Sequence, residues 1–93
     1  MDRTKLTAEE IESKLAELEG WEVEENVLKK KFTFGDFAES LAFVITVGEI
    51  AEEHDHHPDI TFGWGYTEVA LTTHDTGGLT EFDFAVARRI DGM

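Results

Sequence analysis

Three copies of one helix-start signal divide this chain and set the order of its elements. The signal is a capping box, in which a Thr or Asp side chain caps the first helical turn and an acidic side chain three residues later caps back. It occurs at Thr7 with Glu10, at Asp36 with Glu39, and at Thr80 with Asp83. Gly20 is placed to end the first helix. We expect three helices: the first over residues 8–19, the second from residue 37 to the histidines, and the third from residue 81.

The two segments between these helices carry the alternation of apolar and polar residues that is typical of β-strands. In residues 21–34 the polar residues 24–26 interrupt the alternation, which indicates a hairpin. In the second segment Pro58 forces extended backbone, because the residue before a proline is disfavoured in the helical region. Residues 59–64 and 66–74 then alternate on either side of Gly65. The second segment is therefore also expected to be a hairpin, whose last strand ends at His74.

This element order predicts the fold class. Strands that follow each other through short turns pair antiparallel, and helices in such a chain cover one face of the sheet. We expect an α+β fold with a four-stranded antiparallel sheet and three helices packed on one face, in the order α-β-β-α-β-β-α. At 93 residues the chain has room for one small core, so residues 1–93 are expected to form one domain.

The second helix is apolar over more of its surface than one neighbour can cover. One stripe contains Phe37, Leu41, Val44, Gly48 and Ala51, and an adjacent stripe contains Phe43, Val47, Ile50 and His54. A helix with two apolar stripes needs two packing partners. The sheet and a second copy of the chain would supply them, so we expect a homo-oligomer.

The composition excludes several classes of function. Twenty-one acidic residues against eight basic ones give a formal charge of −13, which disfavours nucleic-acid binding. The one basic run, Lys29–Lys31, is expected on a solvated strand edge. The absence of cysteine excludes disulfides and thiolate chemistry. No apolar run is long enough to span a membrane and the N-terminus lacks an apolar signal core, so we expect a cytoplasmic protein without membrane contacts.

Residues 52–59, EEHDHHPD, hold three of the four histidines. Such a cluster suits a metal site, an acid/base site, or the polar end of a helix. Imidazole is the side chain whose ordinary pKa lies nearest neutrality, which suits proton transfer. A metal would have to be held by histidine and carboxylate ligands. Because neighbouring side chains on extended backbone point to opposite sides, His56 and His57 cannot easily share one tight metal site.

The spacing of seven residues around this cluster resembles the signature of the pterin-4a-carbinolamine dehydratases. These residues are Glu52, His56, His57, Pro58, Trp64, His74 and Asp83. Flanking blocks are similar as well: GW at 20–21, FTFGDFAESLAFV at 32–44 and LTTHDTGGLTEFDFAVARRID at 71–91. The resemblance therefore covers nearly the whole chain.

The resemblance implies a hydro-lyase that converts 4a-hydroxytetrahydropterin to quinonoid dihydropterin during tetrahydrobiopterin recycling. It implies a small-molecule pterin substrate, no metal, no redox cofactor, and a homotetramer or dimer. By resemblance His56, His57 and His74 are the catalytic residues that contact the pterin. The chemistry agrees, because loss of water from a carbinolamine needs one proton delivered to the hydroxyl and one removed from the neighbouring ring nitrogen. Which histidine is the acid and which the base stays open.

The remaining signature residues are expected to bind the substrate or to support the site: Glu52, Pro58, Trp64 and Asp83. Most of them also have a structural explanation. Glu52 is otherwise a solvated carboxylate near a helix end. Asp83 is expected first to cap the third helix and second to support a histidine. The alternation around Trp64 favours a core position over a pterin-stacking wall. His54 lies outside the signature and is expected to be solvated.

Two other functions stay open beside the dehydratase. The histidine cluster is also suited to zinc or copper in a metal-binding protein. Alternatively, the chain is a dimerisation or interaction module, a role that some members of the resembled family have for transcription factors. Separately, the charge of −13 with only five lysines resembles the surface of proteins from a salt-rich, halophilic cytoplasm. The alternatives are an acidic surface that binds a basic partner and ordinary drift in composition.

Overall fold

The computed structural model describes residues 3–93 and has the element order that the sequence predicts. The helices are α1 (Ala8–Leu15), α2 (Phe37–His54) and α3 (Glu81–Asp91), and the strands are β1 (Glu22–Glu24), β2 (Val27–Thr33), β3 (Asp59–Gly63) and β4 (Tyr66–Leu71). A short 3-10 turn, His74–Thr76, lies between β4 and α3. The domain predicted over residues 1–93 also includes Met1 and Asp2, which lie outside the described residues.

All three helices begin where the capping boxes predict. The boxes that start at Thr7 and Thr80 are complete. At α2 the box is shifted by one residue: Asp36 accepts a hydrogen bond from the Glu39 amide at 2.9 Å, while the Glu39 carboxylate accepts from the amide of Gly35 at 2.6 Å. The first turn of α2 is therefore capped by Asp36, and the Glu39 side chain caps back onto Gly35 instead of Asp36.

The first helix is shorter than predicted. It ends at Leu15 rather than at Glu19. Beyond it the amide of Glu17 bonds to the carbonyl of Lys14 at 3.1 Å, in the i to i−3 pattern of a tight turn. Gly20 then leaves this turn in the left-handed conformation, with φ +79°. The glycine ends the segment as predicted, but the last turn before it is not α-helical.

The four strands form one antiparallel sheet in the order β1-β2-β4-β3. The first hairpin turns at Glu25 and Asn26, which both have positive φ, as a tight two-residue connection between twisted strands requires. The second hairpin turns at Trp64 and Gly65. Because β3 and β4 are antiparallel, the start of β3 lies beside the end of β4. The segments that follow α2 and β4 therefore meet at one edge of the fold.

The lysine run Lys29–Lys31 lies on β2, and its expected position on a strand edge holds only in part. Lys29 pairs with β1 on one side and β4 on the other, whereas Lys30 and Lys31 lie beyond the β1 pairing and pair only with β4. The ammonium of Lys30 donates to the carbonyl of Glu19 at 2.8 Å. The ammonium of Lys29 lies 2.6 Å from the carboxylate of Glu24, and this hydrogen bond and opposite charge lower the pKa of that carboxyl group. Lys29 and Lys30 thus also connect neighbouring segments.

The helices cover one face of the sheet, as the α+β prediction requires. α2 packs against β3, β4 and α3. The core contains fully buried side chains from three strand positions, Leu28, Val69 and Leu71, and from two helix positions, Val47 and Phe84. Each such side chain stabilises the fold by roughly 1.5–3 kcal/mol relative to exposure. The core thus joins the sheet to α2 and α3.

The other predicted apolar stripe of α2 faces outward only in part. Phe37 and Leu41 are exposed, but Ala51 at its end is buried, and Ile45, outside the predicted stripe, is exposed beside them. Phe37, Leu41 and Ile45 are 44%, 40% and 57% exposed, and we call them the exposed α2 stripe. Within residues 3–93 no helix has the length and hydrophobicity needed to cross a membrane. The exposed α2 stripe is an apolar surface on a helix that also packs against β3, β4 and α3.

Trp64 is not a core residue, so that prediction is wrong. Its side chain is 71% exposed. β3 ends at Gly63, so the alternation that predicted burial stops one residue before the tryptophan. Trp64 instead belongs to the hairpin turn with Gly65, which has φ +80°.

Candidate active site

The chain reverses direction at the end of α2, and this reversal separates the clustered histidines. Asp55 adopts the left-handed conformation, with φ +48° and ψ +41°. An aspartate tolerates this conformation better than most residues do. The amide of His56 then bonds back to the carbonyl of Ala51 at 3.1 Å, and Pro58 leads the chain into β3. His56 and His57 consequently meet different surroundings.

His56 is buried and is paired with a buried carboxylate. Its Nε2 lies 2.6 Å from Oδ1 of Asp83, and the two side chains are 7% and 0% exposed. The imidazole also packs against the ring of Phe82, with 5.7 Å between the centroids. Asp83 is the third residue of α3, so the capping box that starts this helix also supplies the partner of His56.

The second carboxylate oxygen of Asp83 is surrounded by donors. It accepts from the hydroxyl of Thr73 at 2.8 Å and from the amide of Thr80 at 3.0 Å. A carboxylate that accepts on both oxygens is acting in its ionised form, so we assign the proton of the His56 pair to Nε2. Within residues 3–93 the Nδ1 atom of His56 has no hydrogen-bond partner and is not sealed from solvent. In the neutral ring with its proton on Nε2, the lone pair of Nδ1 is able to accept a proton.

His57 is exposed and lies beside an open cavity. Its Nε2 is hydrogen-bonded to Oε2 of Glu52, and the two side chains are 54% and 76% exposed. The cavity measures about 780 Å³ and has apolar walls from Ile45, Pro58 and Ile60. Glu52 and two further carboxylates of α2 also line it. This arrangement gives a flat apolar surface next to an imidazole and several hydrogen-bond acceptors.

His74 does not end β4, contrary to the sequence prediction. β4 ends at Leu71, and His74 is the first residue of the 3-10 turn. An isolated bridge between Thr73 and Gly78 closes this turn and draws the chain away from the sheet. The side chain of His74 is exposed. It nevertheless directly follows Thr73, whose hydroxyl contacts the carboxylate that holds His56.

The signature residues therefore occupy three neighbouring places and one distant one. His56 and Asp83 form the buried pair, Glu52, His57 and Pro58 border the cavity, and His74 follows Thr73. Trp64 lies at the opposite end of β3, whose five residues span about 16 Å. The structure does not bring it to the histidines.

Two threonines, Thr73 and Thr80, belong to this site although the sequence pattern did not indicate this role. Thr80 was recognisable only as the cap of α3. Thr73 lies directly before His74, but the alternation of apolar and polar residues assigned it to a strand. His54, outside the signature, directs Nδ1 at the carbonyl of Ile50 at 2.9 Å and so interacts with its own helix.

The histidines do not converge on one point. Within residues 3–93 no group of three or more His, Asp or Glu side chains is arranged to hold a metal ion. His56 and His57 direct Nε2 at different carboxylates, one buried and one exposed. The divergence expected from adjacent positions on extended backbone is thus observed.

Comparison of sequences identifies relatives over almost the full chain. A family model described as pterin 4 alpha carbinolamine dehydratase matches residues 4–93. A protein of Rubrobacter xylanophilus with the provisional name pterin-4-alpha-carbinolamine dehydratase is 51% identical over 89 residues, which cover 95% of this chain and 83% of the relative. A protein of Sulfolobus acidocaldarius with the same provisional name is 46% identical over 87 residues, which cover 94% of this chain and 96% of the relative.

Comparison of folds agrees with this result. The crystal structure of a transcriptional coactivator/pterin dehydratase from Brucella melitensis matches with a TM-score of 0.91 at 31% identity, covering 96% of this chain and 97% of that one. A pterin dehydratase-like protein, described as a RuBisCO assembly factor in the alpha-carboxysome, matches with a TM-score of 0.63 at 30% identity, covering 77% and 83%. The chain belongs to the pterin-4a-carbinolamine dehydratase family.

Proposed function

We propose that this chain is a dehydratase that converts 4a-hydroxytetrahydropterin to quinonoid dihydropterin in tetrahydrobiopterin recycling. The observation that carries the proposal is the buried His56–Asp83 pair, at 2.6 Å; among residues 3–93 nothing hydrogen-bonds the other imidazole nitrogen. Such a ring has a fixed orientation and a lone pair that can accept a proton. Family membership supports the substrate class. Side chains alone carry the catalysis, without a metal or a redox cofactor.

The reaction needs two proton transfers. The bond between C4a and the hydroxyl oxygen breaks, and the departing hydroxyl takes up a proton to become water. The neighbouring ring nitrogen loses a proton, and its electron pair forms the new C=N double bond. His56 accepts this proton at Nδ1, because its Nε2 proton is held by Asp83. The proton for the hydroxyl comes from one of the two exposed imidazoles, His57 or His74.

The cavity beside His57 is the proposed position of part of the pterin. His57 lines it but His56 and His74 do not, so the proposal requires the pterin to extend past the cavity mouth to these two rings. The cavity volume of about 780 Å³ lies within the range of small-molecule sites, roughly 300–1,000 Å³. Ile45, Pro58 and Ile60 offer an apolar surface to the flat ring. Glu52 has two roles, since it orients His57 and is able to accept an N–H of the pterin. Trp64 has no part in this proposal because of its distance from the cavity.

Stopped-flow measurement of the dehydration of a 4a-hydroxypterin tests the function directly. His56→Ala or His74→Ala should lower the rate by about 100-fold or more, which is typical of the loss of a positioned proton-transfer group. The same change at His54, whose ring bonds its own helix, is the matched control and should leave turnover nearly unchanged. Near-normal turnover in both well-folded site variants would remove the proposed mechanism.

We also propose that the exposed α2 stripe pairs with the same stripe of a second copy, in a dimer or a tetramer. Phe37, Leu41 and Ile45 form a continuous apolar row on the helix side that faces away from the core. Phe37→Glu together with Leu41→Glu, two members of the stripe that do not line the pterin cavity, should give a folded monomer in light scattering, whereas Ala38→Glu on the same helix should leave the mass unchanged. A wild-type monomer at about 50 µM, far above the Kd of a stable oligomer, would contradict the proposal.

The same stripe favours a second candidate function, that of an interaction module. The Brucella melitensis protein is described as a transcriptional coactivator as well as a pterin dehydratase, and the second structural relative as an assembly factor. The dehydration assay separates the candidates. A well-folded chain that shows no dehydration above the uncatalysed rate would favour the interaction role.

A further inference from the structure

Thr73 is a buried residue in the loop between β4 and α3, and its hydroxyl does not serve its own turn. It is 2% exposed and occupies the cap position of the 3-10 turn His74–Thr76, yet it makes no side-chain cap bond there. A threonine at a cap position usually bonds to its own turn. Here the hydroxyl instead lies 2.8 Å from Oδ2 of Asp83 and 2.9 Å from the hydroxyl of Thr80.

The donors in this network follow from the ionised form that we assign to the Asp83 carboxylate. A carboxylate only accepts, so the single hydroxyl proton of Thr73 goes to Asp83. The bond between the two hydroxyls must then use the proton of Thr80. The oxygen of Thr80 in turn accepts from the amide of Phe82 at 3.2 Å. Each hydrogen bond strengthens the next, and the chain of donors ends on the carboxylate that holds His56.

Capping of α3 does not explain this contact. The capping box of α3 is complete with Thr80 and Asp83 alone. Thr73 adds a donor from a different segment to the carboxylate oxygen that does not bond to His56. The Thr73 hydroxyl and the Thr80 amide both hold Oδ2, from different segments. They therefore fix the rotation of the carboxylate that directs Oδ1 at Nε2 of His56.

We infer that Thr73 is a positioning residue, which holds the Asp83 carboxylate so that His56 keeps its proton on Nε2 and presents Nδ1 to the substrate. Thr73 also directly precedes His74, so the same hydroxyl holds the start of the turn that carries His74. The catalytic meaning of this inference depends on the dehydratase function proposed above. The geometric part does not, because the state of the His56 bond can be observed without substrate.

The experiment compares Thr73→Val, which keeps the shape and removes the donor, with Thr73→Ser, which keeps the donor. Thr67→Val is the matched control, because Thr67 is also fully buried but donates to the carbonyl of Ser40, away from the histidines. We expect Thr73→Val to lower kcat about tenfold with KM within about twofold, the size of effect of losing one hydrogen bond to a charged group. Thr73→Ser should restore kcat to within about threefold of wild type.

A second measurement observes the hydrogen bond itself. In wild type the Nε2 proton of His56, shared with a buried carboxylate, should give a downfield imidazole N–H signal in NMR that exchanges slowly with water. Thr73→Val should shift or broaden this signal, while Thr73→Ser and Thr67→Val should leave it in place. If Thr73→Val does not fold, Thr73→Cys, with its weak S–H donor, replaces it and should give the same changes at smaller size.

The outcomes separate this inference from the proposed function. An unchanged His56 signal in a folded Thr73→Val protein overturns the inference, even if the wild type is an active dehydratase. Equal losses of kcat in Thr73→Val and Thr67→Val also overturn it, because they indicate a general effect on the fold. An inactive wild type in which the signal still depends on Thr73 refutes the dehydratase proposal and leaves the positioning role standing.

Discussion

Two histidines that are neighbours in the chain form pairs with carboxylates in opposite surroundings. The buried pair joins His56 to Asp83, with 7% and 0% of the side chains exposed. The exposed pair joins His57 to Glu52, with 54% and 76% exposed. The buried pair links the end of α2 to the start of α3, whereas the exposed pair spans a single turn at the end of α2.

The difference shows how one short motif supplies two kinds of imidazole. In the buried pair both oxygens of the carboxylate contact donors from the fold, one on Oδ1 and two on Oδ2, so the ring orientation is set by packing. In the exposed pair solvent screens the charges, and such pairs typically contribute about 0–1 kcal/mol. We expect the first ring to be rigid and the second to adjust to the substrate beside its cavity.

The largest expected effect is on stability, at the carboxylates of the two pairs. Asp83→Ala should lower the free energy of unfolding by about 3 kcal/mol or more, because it leaves His56, Thr73 and the Thr80 amide without their acceptor. Glu52→Ala should change it by less than about 0.5 kcal/mol. Urea unfolding of both variants measures the difference, and similar values would contradict the contrast between the pairs.

Asp91 provides a control for the loss of a carboxylate outside the site. It accepts from the indole N–H of Trp21 at 2.9 Å, and its side chain is 26% exposed. Asp91→Ala should therefore destabilise the protein measurably while leaving dehydration unaffected. A loss of activity in this variant would mean that destabilisation alone explains the behaviour of Asp83→Ala.

A smaller effect separates the pairs in catalysis. Asp83→Asn puts an N–H₂ group where an acceptor stood, which opposes the tautomer with the proton on Nε2 of His56. The dehydration rate should fall about 100-fold or more, as in other sites where an asparagine holds an imidazole in the wrong tautomer. Glu52→Gln should lower the rate by less than about tenfold, since His57 is free to reorient in solvent. Equal losses would mean that both rings need a fixed orientation.

The sequence predicted most of the fold because its signals are local. Capping boxes at Thr7, Asp36 and Thr80 define the helix starts, and the alternation of residues defines the hairpins. The errors occur where a local pattern continues past its element. The alternation around Trp64 and the alternation before His74 each continue from a strand into a turn. After β4 the chain forms the Thr73–Gly78 bridge, and the spacing of residues in the sequence does not predict this contact.

The site was predictable in part for the same reason. The resemblance identified the histidines, and the capping box identified the position of Asp83. The pairing of His56 with Asp83 joins residues 27 positions apart and follows only from the packing of α2 against α3. The role of Thr73 could not be predicted, because an alternating pattern counts a threonine as polar whether its hydroxyl is buried or exposed.

A smaller effect is expected from salt, which should change the stability through the charged surface and not through the buried His56–Asp83 pair. A formal charge of −13 repels itself across a domain of this size at ~0.01 M ionic strength, where the Debye length is about 30 Å, but not at ~1 M, where it is about 3 Å. We expect the thermal midpoint to rise between 0.05 M and 3 M KCl, by about 4–8 °C for each kcal/mol of relief. A flat or falling curve would dispose of the proposed halophilic character and leave the dehydratase proposal untouched.

The smallest expected effect is that of metal removal, which should leave the activity unchanged. Nε2 of His56 bonds to Asp83 and Nε2 of His57 bonds to Glu52, so the two rings direct these nitrogens at different carboxylates and offer no common point to a metal ion. Proton transfer alone suffices for loss of water from a carbinolamine. Dialysis of the purified protein against EDTA should therefore change the dehydration rate by no more than the error of the assay, and the His56 N–H signal should persist. A loss of activity that added zinc restores would instead require a ligand set that includes Nδ1 of His56. It would also replace the contrast between a rigid and an adjustable imidazole with a single metal centre.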